Sequence, residues 1–312
     1  MNIRIGRMNW LVVLAAMLIL STSALAKIIY VDTGATGAND GSDWADAYVS
    51  LQDALAEADS AAKPIEIRVA QGVYRPDQGA AITPGSREAT FRLIDGTILK
   101  GGYVGVGESN SGRRDVLEYE TVLSGDLQGD DAEDESSLSD NSRHVVTGND
   151  TDATAVLDGF TIEAGYADGY DGEYPFDNCG GGMYVENGNC TIANCLFRRN
   201  TVILYDHEYG GLGAAIYDLE SNPSISNCTF TANSTDGWSG VLHNQNSSPT
   251  VLKCIFNDND GSGMSLYDRS NGTIEGCSFL RNKAGFGAGV ICEYGSSPSV
   301  KDCVFVGNVA VL

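Results

Sequence analysis

Five segments in the last third of the chain repeat one pattern: TIANCLFRRN (191–200), SISNCTFTAN (224–233), TVLKCIFNDN (250–259), TIEGCSFLRN (273–282) and SVKDCVFVGN (299–308). Each runs hydroxyl residue, β-branched aliphatic, two mostly polar residues, Cys, any residue, Phe, two residues, Asn. The cysteines Cys195, Cys228, Cys254, Cys277 and Cys303 are 33, 26, 23 and 26 residues apart. Periods of this size belong to stacked supersecondary units, each unable to bury its apolar side alone.

The alignment extends upstream of each Cys. Five residues before it stand Cys190, Pro223, Pro249, Gly272 and Pro298, mostly turn residues. Twelve before it stand Met183, Ile216, Leu242, Ser265 and Ile291, and fourteen before it Gly181, Ala214, Gly240, Gly263 and Gly289. No gap is needed within these stretches, and all length variation falls between the Asn and the next small residue. Insertions gathered on one side are what a solenoid tolerates. Shifting 157–165 by 35 places Leu157, Phe160, Ile162 and Gly165 on Ile192, Cys195, Phe197 and Asn200, which starts the repeat one unit earlier. A column that accepts Phe160 in place of Cys is filling an interior, so its cysteines are expected to be free buried thiols. The pairing of Cys179, Cys190 and Cys292 stays open. The Asn column (Asn200, Asn233, Asn259, Asn282, Asn308) falls at a turn, where amides can hydrogen-bond from coil to coil.

Residues 1–26 read as a secretory signal peptide: Arg4 and Arg7, an apolar run from Trp10 to Leu20, then Ala24-Leu25-Ala26. No second long apolar stretch follows, so no transmembrane segment is expected after cleavage. Loss of the two leader arginines takes the formal charge from −23 to −25, which disfavours nucleic acid and anionic polymers unless a divalent cation bridges them. KIIYVD (27–32) alternates as a strand. Ser50-Leu51-Gln52-Asp53 resembles a capping box, and Leu51, Ala54, Leu55 and Ala58 have helical spacing. This helix is the natural plug for one end of a solenoid. Further strands are read at 64–69, in TFRLIDGTILKGGYVG from Thr90, at 144–146 and at 156–162. The acidic stretch 125–143 has no apolar periodicity and reads as a long loop.

YVDTGATGANDGSDWADAYVSLQDALAEA, IRVAQGVYRP, ILKGGYVG, LSGDLQGDD, VLDGFTI and the Cys–Phe–Asn repeats occur in that order. In this the chain resembles bacterial secreted right-handed parallel β-helix repeat proteins of pectate-lyase-like type, and its repeats are similar to those of polymorphic outer-membrane proteins. The resemblance implies an all-β, right-handed, single-stranded parallel β-helix over 27–312, with an N-terminal capping helix. Residues 27–89 would form the cap and first coils, and 153–312 the clear repeats. It also implies an extracellular or bacterial cell-surface location.

A β-eliminating lyase on this fold needs Ca²⁺ on carboxylates plus an Arg or Lys base. A hydrolase needs paired acids on neighbouring strands. Ten residues before the Cys stand Val185, Asp218, Asn244, Tyr267 and Glu293, so acids are scattered rather than laddered. Arg269 beside Asp268 is a lyase-type pair in principle, but a solvated ion pair is the favoured reading of it. The Ca²⁺ candidates are Asp126, Asp130 and Asp131, followed by Glu133 and Asp134, and separately Asp168, Asp171 and Glu173. Eleven residues before the Cys stand Tyr184, Tyr217, His243, Leu266 and Cys292. If the column twelve before the Cys points inward, Tyr184, Tyr217 and His243 form an outward row about 4.8 Å apart. Such a row either stacks on sugar rings or stabilises the sheet. The leading expectation is a non-catalytic surface protein that binds a polysaccharide or cell-surface glycan. The alternatives are a Ca²⁺-dependent polysaccharide lyase and a plain scaffold. Val309 to Leu312 follow the last Asn with no polar or helical cap, which predicts further repeats or a partner over that end.

Overall fold

The computed structural model describes residues 26–131, 137–169, 177–203, 211–235 and 239–311. Residues 1–25, nearly all of the expected signal peptide, lie outside them, as do Glu133, Asp134, Asp171 and Glu173. Among the described residues no helix is long and apolar enough to cross a membrane.

Three parallel sheets share one axis, and successive coils of the chain contribute a strand to each. In one coil the chain runs through Met183–Glu186, then Thr191–Ala193, then Leu196–Arg198, and begins the next at Ile216–Leu219. The sheet holding Thr191–Ala193 has nine strands, that of Leu196–Arg198 eight, and that of Met183–Glu186 seven. The fold is a right-handed parallel β-helix, the hand that parallel crossovers take almost without exception.

Residues in left-handed backbone make the corners. Before the Cys column stand Gly159, Asn194, Asn227, Lys253, Gly276 and Asp302, all at positive φ, and Arg199, Ala232, Asp258, Arg281 and Gly307 precede the Asn column in the same way. The Cys–x–Phe–x–x–Asn segment is thus a short strand between two such bends. The expected shift by 35 holds, since Leu157 pairs with Ile192 and Ile162 with Phe197. Phe160 sits in the core with the cysteines.

At the third corner the gapless alignment fails. Leu242 pairs with Met264, and Met264 with Val290, not with Ser265 and Ile291. Earlier coils turn here on one left-handed residue, Asn187, Glu220 or Asn246. The later two use a pair, Asp268–Arg269 and Tyr294–Gly295. Each pair adds one residue without disturbing the next strand.

The interior is a set of stacked columns. Rings of Phe197, Phe230, Phe256, Phe279 and Phe305 lie parallel with centroids 5.2, 4.5, 4.8 and 4.8 Å apart. They explain the small-residue column: a Cβ on Gly263 would stand 2.5 Å from Phe279 Cδ1, and one on Gly289 2.8 Å from Phe305 Cδ1. All eight cysteines are free; Cys195, Cys228, Cys254 and Cys277 are buried, and Cys303 is half-buried. Cys190 also lies in the core, whereas Cys292 is exposed. The Asn column is a continuous amide ladder: Asn200 Nδ2 donates to Asn233 Oδ1, Asn233 to Asn259, Asn259 to Asn282 and Asn282 to Asn308, at 2.8–3.1 Å.

The helix Leu51–Ser60 lays Leu51, Ala54, Leu55 and Ala58 on the first strands. Its expected capping box is not formed. Ser50 Oγ donates to the Gln78 carbonyl, and Asp53 Oδ1 accepts from Ala80 N (2.9 Å), so both side chains hold the 76–80 turn instead. At the other end of the described coils, Val304, Phe305 and Val306 are about half exposed.

Candidate functional site

Tyr184, Tyr217 and His243 do form a row. Tyr184 and Tyr217 are 5.6 Å apart at 21°, Tyr217 and His243 5.5 Å at 16°. The row points away from the interior but is covered: Tyr184 is 6 % exposed, Tyr217 0 % and His243 4 %. Cys179 and Leu212, bridged to each other as short parallel segments, lie over the tyrosines as a second apolar layer. The expectation of an exposed sugar-stacking face is therefore corrected. The alternation that turned these rings outward is right, but Cys179 and Leu212 pack over the tyrosines from outside the repeated strands. Burial drives the Tyr217 phenol well above its ordinary pKa, and its hydroxyl donates to Gln245 Oε1 at 2.6 Å. Burial likewise brings His243 down to about 3, and its Nδ1 lies within hydrogen-bond distance of the Ser265 and Ser239 hydroxyl oxygens, at 2.7 and 3.0 Å. Truncation of Tyr217 is a core deletion. Tyr217→Ala is expected to lower stability by about 3–5 kcal/mol in urea unfolding; a loss under about 1 kcal/mol contradicts the buried placement.

Arg269 and Asp268 occupy an exposed turn, Nε to Oδ1 3.0 Å, both in left-handed backbone. The pair stays a solvated surface contact, worth little. Asp168 is not available to a cation, because Arg87 holds it bidentately at 2.7 and 3.3 Å. Asp126, Asp130 and Asp131 do come together, each offering an oxygen within 4.8 Å of the others.

The sequence reading missed a groove of about 600 Å³ along the corner where the nine-stranded sheet bends into the eight-stranded one. Its floor is the stacked corners Gly159–Phe160, Asn194–Cys195 and Asn227, with Thr161, Leu196 and Thr229 on the strands. Its wall is the 113–120 segment. Arg114 fixes that segment by donating to Gly101 O (2.8 Å) and Asp158 O (3.1 Å) and pairing with Asp158 Oδ1 (3.0 Å). Asp115 Oδ1 accepts from Leu117 N and Glu118 N. This turn lifts Leu117 over the groove, 94 % exposed.

Polar contacts link wall and floor. Thr161 Oγ1 donates to Glu120 Oε1 (2.8 Å), and Arg198 joins Glu120 (3.2 Å) to Glu163 (2.6 Å). Arg199 also pairs with Glu163 (2.7 Å). Asn194 Nδ2 donates to Asp158 Oδ1 (2.7 Å), and Asn227 Nδ2 to Asn194 Oδ1 (3.4 Å). Where wall meets floor, Arg114, Arg198 and Arg199 are each paired with a carboxylate, Asp158, Glu120 or Glu163. Arg198 is engaged by two carboxylates, one on the wall and one on the floor. The sequence signal that marks the floor is the exposed Asn in the corner position of two successive coils.

A family model described as right handed beta helix region matches residues 175–312. Comparison with curated proteins finds no match. Among solved structures, the chain is similar to the pectin methylesterase of Aspergillus niger at 15 % identity, over 91 % of this chain and 76 % of that one, with a TM-score of 0.39. That degree of likeness bears on neither substrate nor chemistry.

Proposed function

We propose that this chain is an exported, non-catalytic glycan-binding β-helix that lays an uncharged polysaccharide along the groove under Leu117. The observation that carries the reading is the composition of the groove. Exposed amides of Asn194 and Asn227 and the hydroxyl of Thr229 line a trough beside the apolar Leu117 and Leu196. Sugars present hydroxyl edges and apolar ring faces, and oriented polar groups beside apolar surface match both. The net negative charge of the chain disfavours a polyanion.

Affinity electrophoresis through neutral polysaccharides tests this. Asn194→Gly and Asn227→Gly remove the amides while keeping the left-handed corners, and Leu117→Ser removes the apolar edge. The triple variant is expected to lose at least about tenfold in affinity, or about 1.4 kcal/mol, with an unchanged melting temperature. Unchanged retardation of that variant, or no retardation of the wild type by any glycan, defeats the reading. A Ca²⁺-dependent rise in unsaturated-uronate absorbance on an acidic polysaccharide would replace it with a lyase.

A further inference from the structure

We propose that Asp126, Asp130 and Asp131, together with the side-chain oxygen of Asn141, form a Ca²⁺ site at the far end of strand Thr121–Ser124 from the groove. The strand ends at Ser124, and the chain turns at once: Asp126 Oδ1 accepts from Gly129 N (2.6 Å) and Asp130 N (3.1 Å). That turn stacks the three carboxylates within 4.8 Å of one another. Among the described residues none of the three has an ion-pair partner. Arg75 donates its Nε to the Asp126 carbonyl rather than to a carboxylate (2.6 Å).

The independent observation is Asn141. Its side chain is wholly buried, its Nδ2 donates to Asp131 Oδ2 at 2.9 Å, and its Oδ1 has no partner among the described residues. Asp131 Oδ1 is likewise buried without a partner among them. Buried acceptors left empty on two side chains in contact are costly unless a donor or cation fills them.

The donors are all hard oxygens, carboxylate and amide, with neither His nor Cys in the group. Ca²⁺ accepts such oxygens in irregular geometry and completes its shell with water, whereas Mg²⁺ demands a stricter octahedron. A site with few charged protein ligands on an extracellular module binds Ca²⁺ with a dissociation constant on the order of 10⁻⁴ to 10⁻³ M.

Calorimetric titration of the EDTA-treated full chain with CaCl₂ tests the site. We expect one site, weaker Mg²⁺ binding, and a melting temperature that rises with Ca²⁺. Asp130 is exposed and its side chain holds no other group among the described residues, so Asp130→Asn should fold normally and weaken Ca²⁺ at least about tenfold. Asp131→Asn should abolish the Ca²⁺-dependent rise in melting temperature while the variant still unfolds cooperatively. Asp268→Asn should change neither. Absence of Ca²⁺ binding by the wild type up to millimolar concentration overturns the proposal, as does affinity unchanged in both Asp130→Asn and Asp131→Asn. Glycan retention by the Asp130→Asn variant reports on the groove separately.

Discussion

Asn233→Ala is expected to destabilise the chain by about 3–5 kcal/mol, among the largest losses available to a single substitution here. The Asn233 amide sits inside the coil stack, fully buried. Its Oδ1 accepts from both Asn200 N and Asn200 Nδ2, and its Nδ2 donates to Phe197 O and Asn259 Oδ1. Alanine removes all of these at once, strands two Asn200 donors away from water, and leaves a void between neighbouring rungs. Repair from the solvent is excluded by the packing on either side. Urea unfolding of Asn233→Ala beside Asn222→Ala makes the comparison. Asn222 makes coil-to-coil contacts with Asn189 and Ser248 at the exposed surface, and its loss should stay under about 1 kcal/mol. Equal losses at the two positions would mean that the ladder does not hold the coils together.

The second large effect has the opposite sign. Asp218 points into the core between Val185 and Asn244 on the neighbouring coils, fully buried, and neither carboxylate oxygen has a partner. Asn244 Oδ1, beside it in register, is also without one. Burial alone raises the Asp218 pKa well above its ordinary value. Of the titratable groups around it, Cys190 and Tyr217 are buried and pushed up in turn, so neither supplies a compensating positive charge. The folded chain therefore keeps a proton that the unfolded chain releases. Stability from this group is fully present below about pH 4, the unfolded carboxylate range, and falls by about 1.4 kcal/mol per pH unit above it, until the folded form ionises. Asp218→Val, matching Val185, is expected to flatten that decline and to stabilise the chain at neutral pH by about 2–4 kcal/mol. Melting temperatures of both proteins across the acid-to-neutral range would show it. Parallel profiles would mean that Asp218 finds a partner in solution.

Much of this architecture was legible in the repeat. Phe160 in a cysteine column identified the column as core rather than metal or redox chemistry, and the Asn column at a turn foretold the amide ladder. Local turn chemistry and side-chain period carry both, and both repeat from coil to coil. The third corner was not legible, because a second left-handed residue at Asp268–Arg269 or Tyr294–Gly295 costs one position and leaves no mark in the strands. Nor was the cover over Tyr184 and Tyr217, since Cys179 and Leu212 lie in the variable loops, outside the repeated pattern. The groove escaped for a related reason: its wall, 113–120, meets corners at 159, 194 and 227, and nothing in the period announces a long-range contact of that kind. Asp126, Asp130 and Asp131 were visible as a group; the buried Asn141 amide that turns toward Asp131 was not.

Hydroxyl-radical footprinting, with and without a neutral polysaccharide that retains the chain, tests the central claim most directly. Leu117, at 94 % exposed, and Tyr294, at 68 %, are both open to labelling in the free chain. The groove account predicts protection of Leu117 and Leu196, unchanged labelling of Tyr294, and recovery of the polysaccharide at its original length. Protection at Tyr294 with Leu117 still fully labelled, or a shortened polysaccharide, would contradict it.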